Sequence, residues 1–238
     1  MQRFKSGIDY GKYITFNGTD SKVEFTIPSA LNPGNLTQFT FACIINVATI
    51  DSTLRRVIDL HNNNTGRGFV LFTSFNGITF QVMHSVANAS VQSSPSIGAT
   101  ICSPQGCPKK KFLRVIGQWD DAWNFPKLFI NAKSFYTETV NKSGVRNNIS
   151  GTTGCIGLRS SDATRAFSGG LDEIGLWPTV WDIDEVENDF YGGEQPEDPL
   201  ILLHCDEASG NLVDDGSLGL TFTPTNVTQN INYQYNPY

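Results

Sequence analysis

Two neighbouring carboxylates, Asp172 and Glu173, stand in the otherwise apolar run GGLDEIGLW at 169–177. Paired acids of this kind cleave glycosidic bonds when their carboxyl groups lie about 5 to 10 Å apart across the substrate. The run reads as a strand, and a regular pleat sends adjacent side chains to opposite faces, so the two acids are expected to diverge rather than share a bond. Asp120-Asp121 has the same adjacency. With no nucleophile elbow, catalytic Cys/His signature or phosphate loop in the sequence, the expectation is a chain that is not an enzyme.

Two other uses of the acids follow from their chemistry. A strand carboxylate accepts backbone N–H bonds and fixes the course of a neighbouring loop. Alternatively, Ca²⁺ is held by oxygens from carboxylates, carbonyls and amides, and Asp172, Asp20 and Asn17 would supply them if the loop after Phe16 folds against the strand. Sugar recognition asks instead for aromatic faces beside planar polar groups in loops. Trp119 and Trp123, with Asp120, Asp121 and Asn124, form one such cluster, and His61, Asn62, Asn63 and Arg67 form another. Trp119 at a strand end reads equally well as core, whereas Trp123, in the loop DDAWNFP, is the stronger candidate for exposure.

The elements that must position these groups are strands. In QFTFACIINVA, Phe39, Phe41, Cys43, Ile45 and Val47 fall on one side and Thr40, Ala42, Ile44 and Asn46 on the other. GFVLFTSFNGITFQVMH predicts a hairpin turning at Asn76-Gly77. KKFLRVIGQW and KLFINAKSFYTETV predict another strand pair, with a turn near Asn131-Ala132-Lys133. One helix is expected in WDIDEVENDFYGG, where Ile183, Val186 and Phe190 recur at helical spacing, Asp182 and Glu185 form a capping box, and Gly192 stops the helix.

Only 17% of the 238 residues are charged, against 16 Phe and 22 Gly, which favours strands and tight turns over a helical fold. A net charge of −6 opposes nucleic acid as a partner. The N-terminal stretch has no apolar core of a signal peptide, and no run is long and apolar enough to span a bilayer, so neither the usual export route nor a membrane span is expected. Cys43, Cys155 and Cys205 lie in apolar stretches and are expected as buried hydrophobes, while Cys102 and Cys107 in CSPQGC could bridge in an oxidising medium. Zinc is disfavoured because the three histidines are scattered and no second ligand pair has finger spacing.

The ordered series YITFNGTDSKVEF, QFTFACIINV, GFVLFTSFNGITFQV, FLRVIGQWDD with KLFINAKSF, and GCIGLRSSDATRAFSGGLDEIGLWPTVWDIDEVENDFY resembles the concanavalin A-like jelly roll of laminin-G-like domains. The resemblance implies an all-β, two-sheet antiparallel sandwich with one short helix near 182–191. Residues 1–192 would form its core, 193–199 a linker, and 200–238 a C-terminal strand with a polar, Tyr-rich docking tail. Hydrolases of this fold commonly carry a Glu-x-Asp-x-x-Glu or Glu-x-Asp-x-Glu motif, which this chain lacks.

LILLHCDEASGNLVDDGSLGLTFT is similar to the opening strand and loop of such domains on bacteriophage virion proteins, yet here it comes last. Either the fold is permuted and the strand pairs within the chain, or it pairs with a neighbouring subunit. In both cases Ile201, Leu203 and Cys205 are expected to face apolar partners, with Leu200, Leu202 and His204 on the other side. The functional expectation is a non-enzymatic virion surface protein, a phage head decoration, fibre or tail component assembled in the host cytoplasm and able to touch host glycans. Its partners would be virion or capsid subunits, or its own copies, engaged through Tyr233, Tyr235 and Tyr238. The alternative is a stand-alone carbohydrate-binding, lectin-like module; a glycoside hydrolase ranks below both.

Overall fold

The computed structural model describes residues 9–32, 35–60, 68–74, 77–82, 87–92, 112–123, 125–135, 138–143, 149–159 and 163–235. They form two antiparallel sheets packed face to face. The first runs, in spatial order, β10 (Lys133–Phe135), β9 (Lys127–Ile130), β8 (Leu113–Asp120), β3 (Gln38–Val47), β13 (Ser168–Trp177), β1 (Asp9–Asn17) and β16 (Thr228–Tyr235), with β14 (Ile201–Leu203) also paired to β13. The second runs β11 (Glu138–Ser143), β7 (Ala87–Gln92), β6 (Gly77–Val82), β5 (Phe69–Ser74), β4 (Arg55–Leu60), β12 (Thr153–Ile156), β2 (Lys22–Thr26) and β15 (Thr223–Thr225). This is the jelly-roll sandwich class expected from the sequence.

Alternation decides what lies between the sheets. Phe39, Phe41, Cys43, Ile45 and Val47 of β3 are all buried in the interior, with Val115 and Trp119 of β8 beside them. On β8 the interior position between those two is Gly117, where an added Cβ would lie 2.6 Å from the Phe80 ring of the opposite sheet. A glycine there lets an aromatic ring take the space a side chain would fill. Phe80 in turn packs on Phe39 and Phe69, so the two sheets interlock through aromatic rings.

The outer face of the first sheet is not left to water. Ala42, Ile116, Phe129 and Trp177 form a second apolar cluster with Trp181 and Val186. Val186 belongs to the helix α1 (Ile183–Phe190), which has its capping box in place: Asp182 accepts from the Glu185 N–H and Glu185 accepts from the Asp182 N–H. Gly192, at φ 80°, ends the helix as anticipated. Ile183 departs from the expected apolar stripe, being 52% exposed, because the first helical residue lies beyond the edge of the covered face.

The hairpin between β9 and β10 turns through Asn131 and Ala132, both at positive φ (52° and 59°), where the sequence placed it. In the β5–β6 hairpin Gly77 pairs with Ser74, and Asn76 lies outside the described residues. Cys43, Cys155 and Cys205 are free and buried, and Cys102 and Cys107 also lie outside the described residues.

The segment that comes last in the chain pairs within the chain. β14 lies beside Ile174–Leu176 of β13, on the same edge where β1 lies beside Gly169–Leu171, so two strands share one side of β13 in tandem. Ile201, Leu203 and Cys205 face the interior and Leu202 meets the outer cluster, as the alternation required; Leu200 instead packs against the interior. The tail is part of the sheet too. Tyr233 pairs with Gly11 and Tyr235 with Asp9, while Tyr238 lies outside the described residues. Among the described residues no helix is long and apolar enough to cross a membrane.

Candidate functional site

The Asp172-Glu173 pair sits on a β-bulge. Asp172 pairs with Ile44 and Gly175 with Ala42, so Glu173 and Ile174 together face the single residue Cys43. Glu173 takes φ 45°, a left-handed conformation unusual for a residue with a Cβ. The extra residue re-phases the strand, and Leu171 and Ile174, three apart, both reach the interior.

The expectation that the two carboxylates diverge assumed an unbroken pleat, and the bulge interrupts it between them. Asp172 pairs with Ile44, and the Glu173 carboxylate meets His204, Oε2 and Oε1 lying 2.9 and 3.1 Å from Nδ1. On the other side of the ring, Nε2 lies 3.5 Å from Asp215 Oδ2. Both acids are buried, and the Glu173 carboxylate is engaged in holding β14 against β13.

Beneath them lies a buried ion pair. Arg114 of β8 donates to both oxygens of Asp189 on α1, at 2.7 and 2.8 Å, and through its remaining nitrogen to the Glu173 carbonyl at 2.9 Å. Burial alone would push the guanidinium pKa down; the facing Asp189 carboxylate more than offsets it and drives the pKa above its ordinary value. The arrangement ties helix to sheet at the level of the bulge.

The proposed Ca²⁺ ligands are not brought together. Asn17 Oδ1 accepts the N–H groups of Thr19, Asp20 and Ser21, and its amide donates to Asp20 Oδ1 at 2.7 Å. Asp20 Oδ2 accepts from Asn226 at 2.8 Å. Asn17 pairs with Ser168, four residues along β13 from Asp172, a separation of about 13 Å at the usual rise of a strand. Asn17 and Asp20 lock their own turn and join it to the β15–β16 connection.

The β8–β9 turn holds the remaining candidates. Trp119 is fully buried, opposite Phe39, so it is core and not a ligand contact; its indole N–H donates to Asp121 Oδ1 at 2.7 Å. That bond holds exposed Asp121 at the base of the turn. Trp123 remains part-exposed, its backbone N–H donating to the Asp120 carbonyl. Its ring stacks with Phe125, centroids 6.5 Å apart, and the Lys127 ammonium lies 3.7 Å from the ring centroid. Burial lowers the Lys127 pKa, opposed by the nearby Asp120 carboxylate. Asn124, His61, Asn63 and Arg67 lie outside the described residues.

Phe125 and Lys127 were missed in the sequence reading. Their signal was there: Trp123, Phe125 and Lys127 stand at alternate positions, which in an extended segment share a side. The other three tryptophans, Trp119, Trp177 and Trp181, are at most 2% exposed. Trp123 alone among the four is part-exposed.

No protein-family model matches this chain, and no curated protein matches it. Solved structures do match. A "putative carbohydrate binding protein" from Bacteroides ovatus ATCC 8483 aligns with 96% of this chain at 13% identity and TM-score 0.67, and this chain spans 62% of its length. The native heptameric SAP-like pentraxin of Limulus polyphemus aligns over 91% of this chain and 96% of its own, at 16% identity and TM-score 0.58. The Ruminococcus gnavus IT-sialidase CBM40, bound to alpha2,3 sialyllactose, aligns over 76% of this chain and 98% of its own, at 13% identity and TM-score 0.51. At these identities the likeness concerns the fold: this chain has the lectin-like jelly-roll sandwich that those three proteins share.

Proposed function

We propose that this chain is a non-enzymatic glycan-binding module whose contact platform is the β8–β9 turn. The observation that carries the reading is Trp123, the one part-exposed indole, backed by Phe125 and by the Lys127 ammonium. An aromatic face of this kind packs on the C–H face of a sugar ring, and the exposed Asp121 beside it brings a carboxylate to which sugar hydroxyls donate. Solved structures of the same fold that are described as carbohydrate-binding or are bound to a sugar support the class of ligand. The non-enzymatic part is supported by the use of the Glu173 carboxylate as a partner for His204 between two strands.

Placement on a virion surface, with capsid or tail subunits as partners, is the wider setting of this proposal. It rests on the resemblance of residues 200–223 to phage-borne domains. A glycan array probed with the parent chain and with Trp123→Ala tests the binding role: the parent is expected to retain a defined set of glycans and the variant to lose them. A parent that binds no glycan, or a variant that binds the same set equally well, removes the reading.

A further inference from the structure

Sheet edges expose unpaired backbone groups and are ordinarily blunted against other chains. Four of the edges here carry such devices. β10 has three residues and includes Lys133; β15 has three and is centred on Pro224. β11 breaks register between Val140 and Ser143 and carries Glu138 and Lys142. The outer side of β14 is covered by its own following loop, where Asp215 and Leu218 donate to the Leu202 and Leu200 carbonyls and Asp214 accepts from the Leu202 N–H.

β16 differs in extent: its register with β1 shifts between Thr228 and Ile231, and the rest of the strand carries none of these devices. It has eight residues, TQNINYQY, with no charge and no proline, and among the described residues it ends the first sheet. From Ile231 to Tyr235 it keeps regular register with Tyr13 to Asp9 of β1. A regular stretch of this length is about what an ordinary sheet strand uses.

We infer that β16 is an assembly edge that pairs antiparallel with β16 of a second copy of this chain, joining the two first sheets into one continuous sheet. Its occupant follows from charge and symmetry. Each chain carries a net charge of −6, and an uncharged ladder is where two copies meet without opposing like charges. A two-fold axis through Tyr233 pairs the whole regular stretch with itself, Ile231 against Tyr235 and Asn232 against Gln234. Closure at two copies uses up the open edge, whereas a strand that stacked without closure would continue into a fibre.

The register dictates the test, by sedimentation of the parent chain across the micromolar range. Asn232→Glu combined with Gln234→Glu sets like charges opposite one another across the two-fold. Asn232→Glu combined with Gln234→Lys sets opposite charges there, and in both variants residue 232 faces Lys12 of its own chain, a favourable neighbour. The parent is expected to sediment as a dimer, the first variant as a monomer, and the second as a dimer again, all with the same far-UV circular dichroism. A monomeric parent, a first variant that stays dimeric, or a folded second variant that fails to recover the dimer each overturns the inference.

Discussion

Arg114 and Asp189 are both nearly inaccessible, and each has the other as its main compensation for lost hydration. Removing one member of a buried pair costs about 3–5 kcal/mol, because the other is left charged and unpaired. Arg114→Met is therefore expected to lower the urea midpoint by that amount of stability, with α1 the first element to lose protection in hydrogen exchange. Asp51 and Arg55 behave differently, since their pair is partly exposed: the guanidinium holds the carboxylate through nitrogens at 2.5 and 3.2 Å. Those hydrogen bonds lower the Asp51 pKa below its ordinary 3.8, burial opposing them. A carboxyl whose folded pKa lies below its unfolded value stabilises fully above the unfolded value and loses that contribution as pH falls through the folded one. Asp51→Asn should then melt slightly below the parent at pH 7, by less than about 1 kcal/mol for so exposed a pair, with the gap closing below pH 3.8.

Among the elements, α1 was legible down to its capping residues, because caps are local chemistry written in adjacent positions. Asp182→Ala removes the acceptor for the Glu185 N–H and should cost about 1 kcal/mol in a denaturant titration. The strands were legible for the same reason: alternation along β3 names its buried side without reference to any partner. The bulge in β13 was not. It is produced without a glycine at Glu173, so nothing in LDEIG distinguishes a re-phased strand from a regular one, and simple alternation does not carry across Asp172 and Glu173. The position of β14 was equally unreadable, since alternation gives the faces of Ile201 and Leu203 but not whether the partner strand belongs to the same chain. Trp119 was ambiguous because aromatic type alone does not tell a core ring from a surface ring. Its register opposite Phe39 settles it.

At the scale of the whole molecule, the sandwich separates two surfaces. The β8–β9 turn lies toward one end of the first sheet and β16 lies at the other, with β3, β13 and β1 between. Pairing through β16 would leave the two Trp123 platforms at the outer ends of a joined sheet, an arrangement suited to a surface that displays many glycans. The claim on which the functional account rests is that sugar contacts Trp123. Tryptophan fluorescence reads that residue selectively, because Trp119, Trp177 and Trp181 are buried and a collisional quencher such as acrylamide reaches the part-exposed ring first. Acrylamide quenching should fall when a glycan retained on the array is added to the parent chain; quenching that stays unchanged while that glycan is bound would contradict the account.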